Sequence, residues 1–374
     1  MALRSGDNAV PAPTSPDGPA GQEPHRIWFT GREWWRLGGL FGVVALLHLV
    51  GWGLFVYYAA RYHQPAFAGA GALAYTFGLR HAFDADHIAA IDDTTRFMLQ
   101  KGKRPLGVGF FFSLGHSSVV FLLATAIAVA ANAVKGKIDR WHDIGGVVGA
   151  SVSGTFLYVV AILNLIVLLG IVKLWRQAKT GAFSRERLEE LMLQRGFMNR
   201  LLGRRFRNFI NESWHMYPVG FLFGLGFDTA SEIALLAITG AAATSGHLPP
   251  LAIISLPLLF AAGMSALDTA DGAFMAKAYG WAFSSPLRKI YYNLTTTGLS
   301  VAVALVIGTI ELVGVLGDKL HQSGAFWGFV GKLSDDFELF GYIIVGMFVV
   351  TWAGSVILWK ARRMEQRWGS AISD

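Results

Sequence analysis

Eight stretches of this chain are apolar over about twenty residues or more, and no other feature constrains its fold as strongly. They run at about 37–60, 68–94, 106–134, 146–172, 216–243, 249–276, 290–316 and 337–359, counting polar clusters inside some of them. About 20 largely apolar residues in a helix cross the hydrocarbon core of a bilayer. No water reaches that core to satisfy backbone N–H and C=O groups, so only helices and closed barrels span it. A barrel strand needs only about 9–11 residues, far fewer than these runs. The expectation is an all-α integral membrane protein with eight transmembrane helices. Composition agrees, with 53% of the 374 residues hydrophobic and only 15% charged.

Loop charges predict the orientation. With the N-terminus in the cytoplasm, 25 Lys and Arg residues fall on the cytoplasmic side and 6 on the other, while Arg80 lies within a span. That split follows the positive-inside rule and places both termini in the cytoplasm. The net charge of +7 is therefore topological and calls for no nucleic-acid partner. The expected organisation is a disordered cytoplasmic tail over 1–30, helices one to four over 31–172, a basic cytoplasmic loop over 173–213, and helices five to eight with a short cytoplasmic C-terminus over 214–374. The spacing of Leu188, Leu191, Met192 and Arg195 fits either an amphipathic surface helix or a solvated linker. No cleavable signal sequence precedes the first apolar run.

Polar side chains interrupt four spans. The second contains Arg80-His81-Ala82-Phe83-Asp84-Ala85-Asp86-His87, the third Ser113 to Ser117 around His116, the fifth Asp228 and Glu232, and the sixth Asp268 and Asp271. A charged group at bilayer depth costs roughly 2.5–3.5 kcal/mol on insertion scales and marks an ion or substrate pathway. Six acids with one arginine need protonation, hydrogen bonds or a cation as partner. Imidazoles with oxygen donors and no cysteine suit Ni²⁺, Co²⁺ or Zn²⁺ better than Mg²⁺ or Ca²⁺. His81, Asp84 and His87 are three apart and share one face of an ideal helix, whereas Asp86 points elsewhere. Either Asp86 orients a ligand imidazole from behind, or the helix is unwound here, as transporter helices often are. Asp228 with Glu232, and Asp268 with Asp271, can each face a common cavity.

The pattern also repeats. Phe83-Asp84-Ala85-Asp86-His87-Ile88 resembles Phe227-Asp228-Thr229-Ala230-Ser231-Glu232-Ile233 with one residue inserted, and Phe112 to Ser117 has an echo in Phe260 to Ser265. Spans two and five run in opposite directions, so a repeat of helices two to four by five to seven would be inverted, a transporter architecture.

At His81-x4-Asp86-His87 the chain resembles the nickel/cobalt transporter family, secondary permeases for Ni²⁺ and Co²⁺. The stretches 80–88, 111–117, 225–233 and 263–272 match the family's motifs in order. The resemblance implies substrate binding by His81, Asp86 and His87, with Asp84 beside them. Ser231 stands where threonine is the commoner choice, a conservative change. Related efflux proteins often carry a histidine-rich loop; this chain has none, which favours uptake.

The metal site is thus expected at His81, Asp84, Asp86, His87, His116, Asp228, Glu232, Asp268 and Asp271. The metal is transported substrate, with no cofactor, in the cytoplasmic membrane. An exporter of the same metals and an intramembrane metalloenzyme remain as alternatives. No phosphate-binding Gly-x4-Gly-Lys-Ser/Thr loop occurs, so no ATPase of that type is evident. Movement would run on membrane potential or proton exchange. His48 fits either helix packing or a selectivity contact. Asp92, Asp93 and Arg96 read as a surface ion network at the inner end of span two, or a gate.

Overall fold

The first helix begins where Thr30 can cap it. The Thr30 hydroxyl accepts from the Glu33 backbone N–H at 3.3 Å, and the Glu33 carboxylate accepts from the Thr30 N–H at 2.8 Å. This reciprocal box satisfies two donors that a helix start leaves open. In this computed structural model, residues 29–134, 138–179, 210–225, 230–244, 248–282, 297–335 and 337–361 are described. The expected tail and most of the expected basic loop, with Leu188 to Arg195, lie outside the described residues.

Helix α1 runs Gly31–Tyr62 and buries only Leu37, Val44, Gly51 and Phe55. Its Leu46, Leu49 and Val56 stand exposed, as do Leu122, Leu169, Val306 and Val350 on later helices. An apolar coat of this kind suits hydrocarbon and not water. Among the described residues, five helical stretches are long and apolar enough to cross a membrane: 31–62, 108–128, 147–170, 250–279 and 298–319. All described elements are helical.

The second apolar run is not one helix. It divides into α2 (Pro65–His81) and α3 (Ala85–Gln100). Pro65 at the first helical turn suits α2, since its missing N–H would have no intrahelical partner there. At the far end, tight turn bonds run from Phe83 N–H to the Arg80 carbonyl and from Asp84 N–H to the His81 carbonyl. Asp84 then adopts an extended conformation and caps α3, its carboxylate accepting from the Ala85 N–H at 2.9 Å. A short acid that bonds the local backbone favours such a start over helix continuation. Irregular backbone at membrane depth must be covered by protein. Here Ala82, Asp84 and Ala85 are buried, and the Phe83 ring stacks on Tyr342 at 4.7 Å.

The remaining helices are α4 (Val108–Val134), α5 (Ile138–Lys179), α6 (Met216–Gly224), α7 (Ala230–Thr244), α8 (Pro250–Ala282), α9 (Gly298–Lys319), α10 (Ala325–Asp335) and α11 (Phe337–Ala361). Helix α8 is central, packing against α1, α2, α3, α4 and α7, while α5 packs on α9 and α3. The described parts of the fifth apolar run are α6 and α7.

Two crossings depend on glycine. A Cβ at Gly78 of α2 would overlap the Phe260 carbonyl of α8, and one at Gly263 would lie 2.7 Å from the Tyr75 carbonyl oxygen. Equivalently, a Cβ at Gly220 of α6 would overlap the Phe112 carbonyl of α4, and one at Gly115 the Tyr217 carbonyl. Small residues at such crossings let membrane helices approach backbone to backbone.

Candidate metal centre

The break between α2 and α3 brings His81 and His87 together. His81 ends α2 and His87 lies in the first turn of α3, with ring centroids 4.7 Å apart. Helix α4 supplies His116, whose ring is 4.8 Å from that of His81 and 4.6 Å from that of His87. All three are buried, and each offers a nitrogen within 4.8 Å of the others.

Two carboxylates adjoin this cluster, Glu232 on the side of the His81 and His116 Nε2 atoms and Asp268 behind the His87 ring. Glu232 of α7 places Oε1 2.9 Å from His116 Nε2 and 3.9 Å from His81 Nε2. Asp268 of α8 places Oδ2 3.3 Å from His87 Nδ1. With Nδ1–H donated to Asp268, the lone pair of His87 sits on Nε2, which has no hydrogen-bond partner among the described residues. A carboxylate behind a ligating imidazole fixes its tautomer and raises its basicity. His81 Nε2 and His116 Nε2 lie 3.0 Å apart. Two nitrogens bound to one divalent ion at about 2.0–2.1 Å each are separated by roughly 3.0–3.4 Å, so this spacing suits shared coordination. The Phe112 ring edges onto His87 at 4.7 Å and Phe260 lies 5.5 Å from His81, which keeps the cluster dry.

The structure sorts the expected residues. His81, His87, His116, Glu232 and Asp268 come together. Asp84 caps α3, with its Oδ2 3.7 Å from His81 Nδ1. Asp86 holds the His87 backbone N–H at 2.7 Å and reaches Ser153 at 3.5 Å, while the carboxylate oriented on the His87 ring is Asp268. The unwound-helix reading of this segment is therefore the one that fits. Asp271 lies one turn along α8 from Asp268, within electrostatic reach of Asp92. Asp228 lies outside the described residues. Arg80 is exposed. His48 bonds the Val44 carbonyl at 2.8 Å and the Tyr75 hydroxyl at 3.2 Å, which is helix packing.

The surface reading of Asp92, Asp93 and Arg96 is corrected: all three are fully buried. Helices α5, α8, α9 and α11 all pack on α3 and remove it from solvent. Their partners Asn164, Tyr279, Thr297 and Ser300 were not linked to them by the sequence reading. Nor was Glu311, a buried acid of α9 that accepts from Ser153 at 2.7 Å. A lone acid within an apolar run was the available signal for Glu311.

Residues 67–358 match the NicO family, described as high-affinity nickel-transport protein. The chain is 53% identical to the nickel transporter NicT of Mycobacterium tuberculosis over 351 residues, covering 91% of this chain and 93% of that protein. It is 50% identical to the nickel transporter NixA of Staphylococcus aureus, over 87% of this chain and 95% of that one. It is 46% identical to the cobalt transport protein NhlF of Rhodococcus rhodochrous, over 89% and 96% respectively. No solved structure matches the chain.

Proposed function

We propose a mechanism for this chain from the premise that it belongs to the NicO family of high-affinity nickel-transport proteins. It is a nickel-uptake permease of the membrane and not an enzyme. The cargo binds as Ni²⁺ at His81, His87 and His116. Asp268 orients the His87 ring, Glu232 adds an oxygen donor beside the His81 and His116 Nε2 atoms, and Asp84, Asp86, Asp228 and Asp271 add negative charge along the route. Co²⁺ fits the same donor set. The observation that carries this reading is the convergence of three buried histidines at a break in a helix, with the carboxylates of Asp268 and Glu232 against them.

The chain crosses the cytoplasmic membrane eight times, with both termini, the tail over 1–30 and the basic loop over 173–213 in the cytoplasm. Helices two to four and five to seven form an inverted repeat. The glycine crossings support the repeat: Tyr75, Gly78, Phe260 and Gly263 play the parts of Tyr217, Gly220, Phe112 and Gly115. Exchanging the two halves converts the α2–α8 crossing into the α6–α4 crossing, and the cargo site lies between the halves.

Membrane potential is a sufficient drive. A divalent cation moving inward through 100 mV gains about 4.6 kcal/mol, twice the roughly 2.3 per charge. At 1.4 kcal/mol per decade that supports about three decades of accumulation. A proton gradient adds to it if protons move with the metal. The test is accumulation of radioactive nickel by cells expressing the wild type, His81→Ala or His87→Ala at matched membrane levels. Wild-type cells should gain nickel and the variants should not. Wild-type accumulation in the variants would remove the histidines from the site, and net loss of nickel would reverse the direction.

A further inference from the structure

The buried network on α3 lies between the histidines and the cytoplasmic end of that helix. Arg96 donates from Nε to Asp92 Oδ2 at 3.1 Å and from Nη1 to Thr297 Oγ1 at 3.2 Å. Its Nη2 bonds the Tyr279 hydroxyl, which donates to Asp92 Oδ1. Asp92 is thus paired. Asp93 is held by Asn164, whose amide donates to Asp93 Oδ1 at 3.0 Å and to the Asp93 carbonyl at 3.1 Å.

Two counts fail to close. Among the described residues one guanidinium faces the carboxylates of Asp92 and Asp93, all three fully buried, and Asp271 adds a further acid beside Asp92. A buried charge without a partner is strongly unfavourable. The hydroxyl of Ser300 lies 2.5 Å from Asp92 Oδ2 and also 2.5 Å from Asp93 Oδ1. A hydroxyl has one proton and can donate to only one of them. The other short contact needs a second proton. Independently, Asp93 Oδ2 and Asn164 Oδ1 are buried without a hydrogen-bond partner among the described residues. Half of an ionised carboxylate would thus have no protein donor among the described residues.

We propose that Asp93 is a proton-binding site, separate from the histidine cluster, which gives up its proton when a divalent cation passes toward the cytoplasm. The proton sits on Asp93 Oδ1 and is donated to Ser300 Oγ, which in turn donates to Asp92 Oδ2. One proton neutralises Asp93 and accounts for both short contacts. A metal cation fits less well, since hard ions take about six or more oxygen ligands and Asp93 and Asn164 leave two oxygens open. Among the described residues, the charged and titratable groups around Asp93 are Asp92 and Arg96 on α3, with Tyr279 and Asp271 of α8 beside Asp92; α5 and α9 present the neutral Asn164 and Ser300, and α11 the apolar Phe348. On the proposed topology, Asp268 and Asp271 lead from the histidines to this network. A divalent ion arriving there favours the carboxylate form of Asp93. The proton passes to cytoplasmic water and returns once the metal has left. Cytoplasmic protons and departing metal therefore compete for Asp93.

This rests on the nickel-uptake reading, and the test separates the two. In right-side-out vesicles with clamped potential and fixed external pH, acidifying the interior should slow wild-type nickel uptake, by up to about tenfold per pH unit, as the ionised fraction of a single acid falls. Asp93→Asn should lose that dependence. Equal dependence in both, or none in the wild type, would overturn the proposal, while wild-type uptake at neutral internal pH keeps the nickel reading standing. Should Asp93→Asn fail to transport, infrared difference spectra of the purified protein without nickel decide. A protonated-carboxyl band should be present in the wild type and absent from the variant. A band unchanged in the variant, or one abolished by sodium in the wild type, would overturn it.

Discussion

His87 and Asp268, 181 positions apart in the chain, meet with Nδ1 and Oδ2 3.3 Å apart in a dry core. The pairing leaves the lone pair on the other ring nitrogen of His87, which the proposed site uses as a ligand for the cargo. Loss of a carboxylate behind a ligand histidine typically costs 10–100-fold in metal affinity. Asp268→Asn should therefore raise the nickel concentration for half-maximal uptake by about that factor. Asp228→Asn, on the proposed route, should also impair uptake. Asp318→Asn, at an exposed position near the end of α9, should not. Equal uptake by all three variants would make the acids structural.

The glycine crossings predict a stability effect. Gly78→Ala drives a methyl group into the Phe260 carbonyl, a backbone obstacle that cannot rotate away. Overpacking of this kind costs about 1–3 kcal/mol. Gly38→Ala meets nothing within 4 Å and should be neutral or slightly stabilising, as alanine is favoured over glycine in helices. Thermal unfolding in detergent checks both, and an unchanged transition for Gly78→Ala would contradict the close crossing.

The meeting of His81 and His87 was legible in residue types set within an apolar run, while Asp84 in the same run turns out to be a helix cap. What the sequence concealed was pairing across the fold. Asp86 and Asp268 are the same kind of residue, and only the packing of α8 on α3 decides which one holds His87. Asp92, Asp93 and Arg96 looked superficial because they approach a basic loop. Burial there comes from α5, α8, α9 and α11, which hydropathy along α3 cannot register. The discontinuity of α2 and α3 was one of the two readings that the off-face position of Asp86 allowed, and only the structure chooses it.

Selectivity follows from the donors. Mg²⁺ prefers oxygen ligands and gives up its water reluctantly, so neutral imidazoles offer it little. Millimolar Mg²⁺ should leave uptake of micromolar Ni²⁺ almost unchanged, whereas Co²⁺ should compete. Displacement by Mg²⁺ at comparable concentration would mean that the histidines are not ligands.

External pH acts through the same nitrogens. An imidazole must be neutral to bind metal, so protonation opposes binding, and affinity is lost as pH falls. Uptake at limiting nickel should therefore decline on external acidification, once the histidines take up protons. A rate that rises on acidification at fixed potential would contradict ligation by histidine.

X-ray absorption by nickel bound to the purified protein reads the proposed coordination directly. The scattering pattern should require three imidazoles in the wild type and one fewer in each of His81→Ala, His87→Ala and His116→Ala, with oxygen donors making up the shell. A nickel shell of oxygen alone, or an imidazole count that none of the three substitutions lowers, would contradict the proposed site.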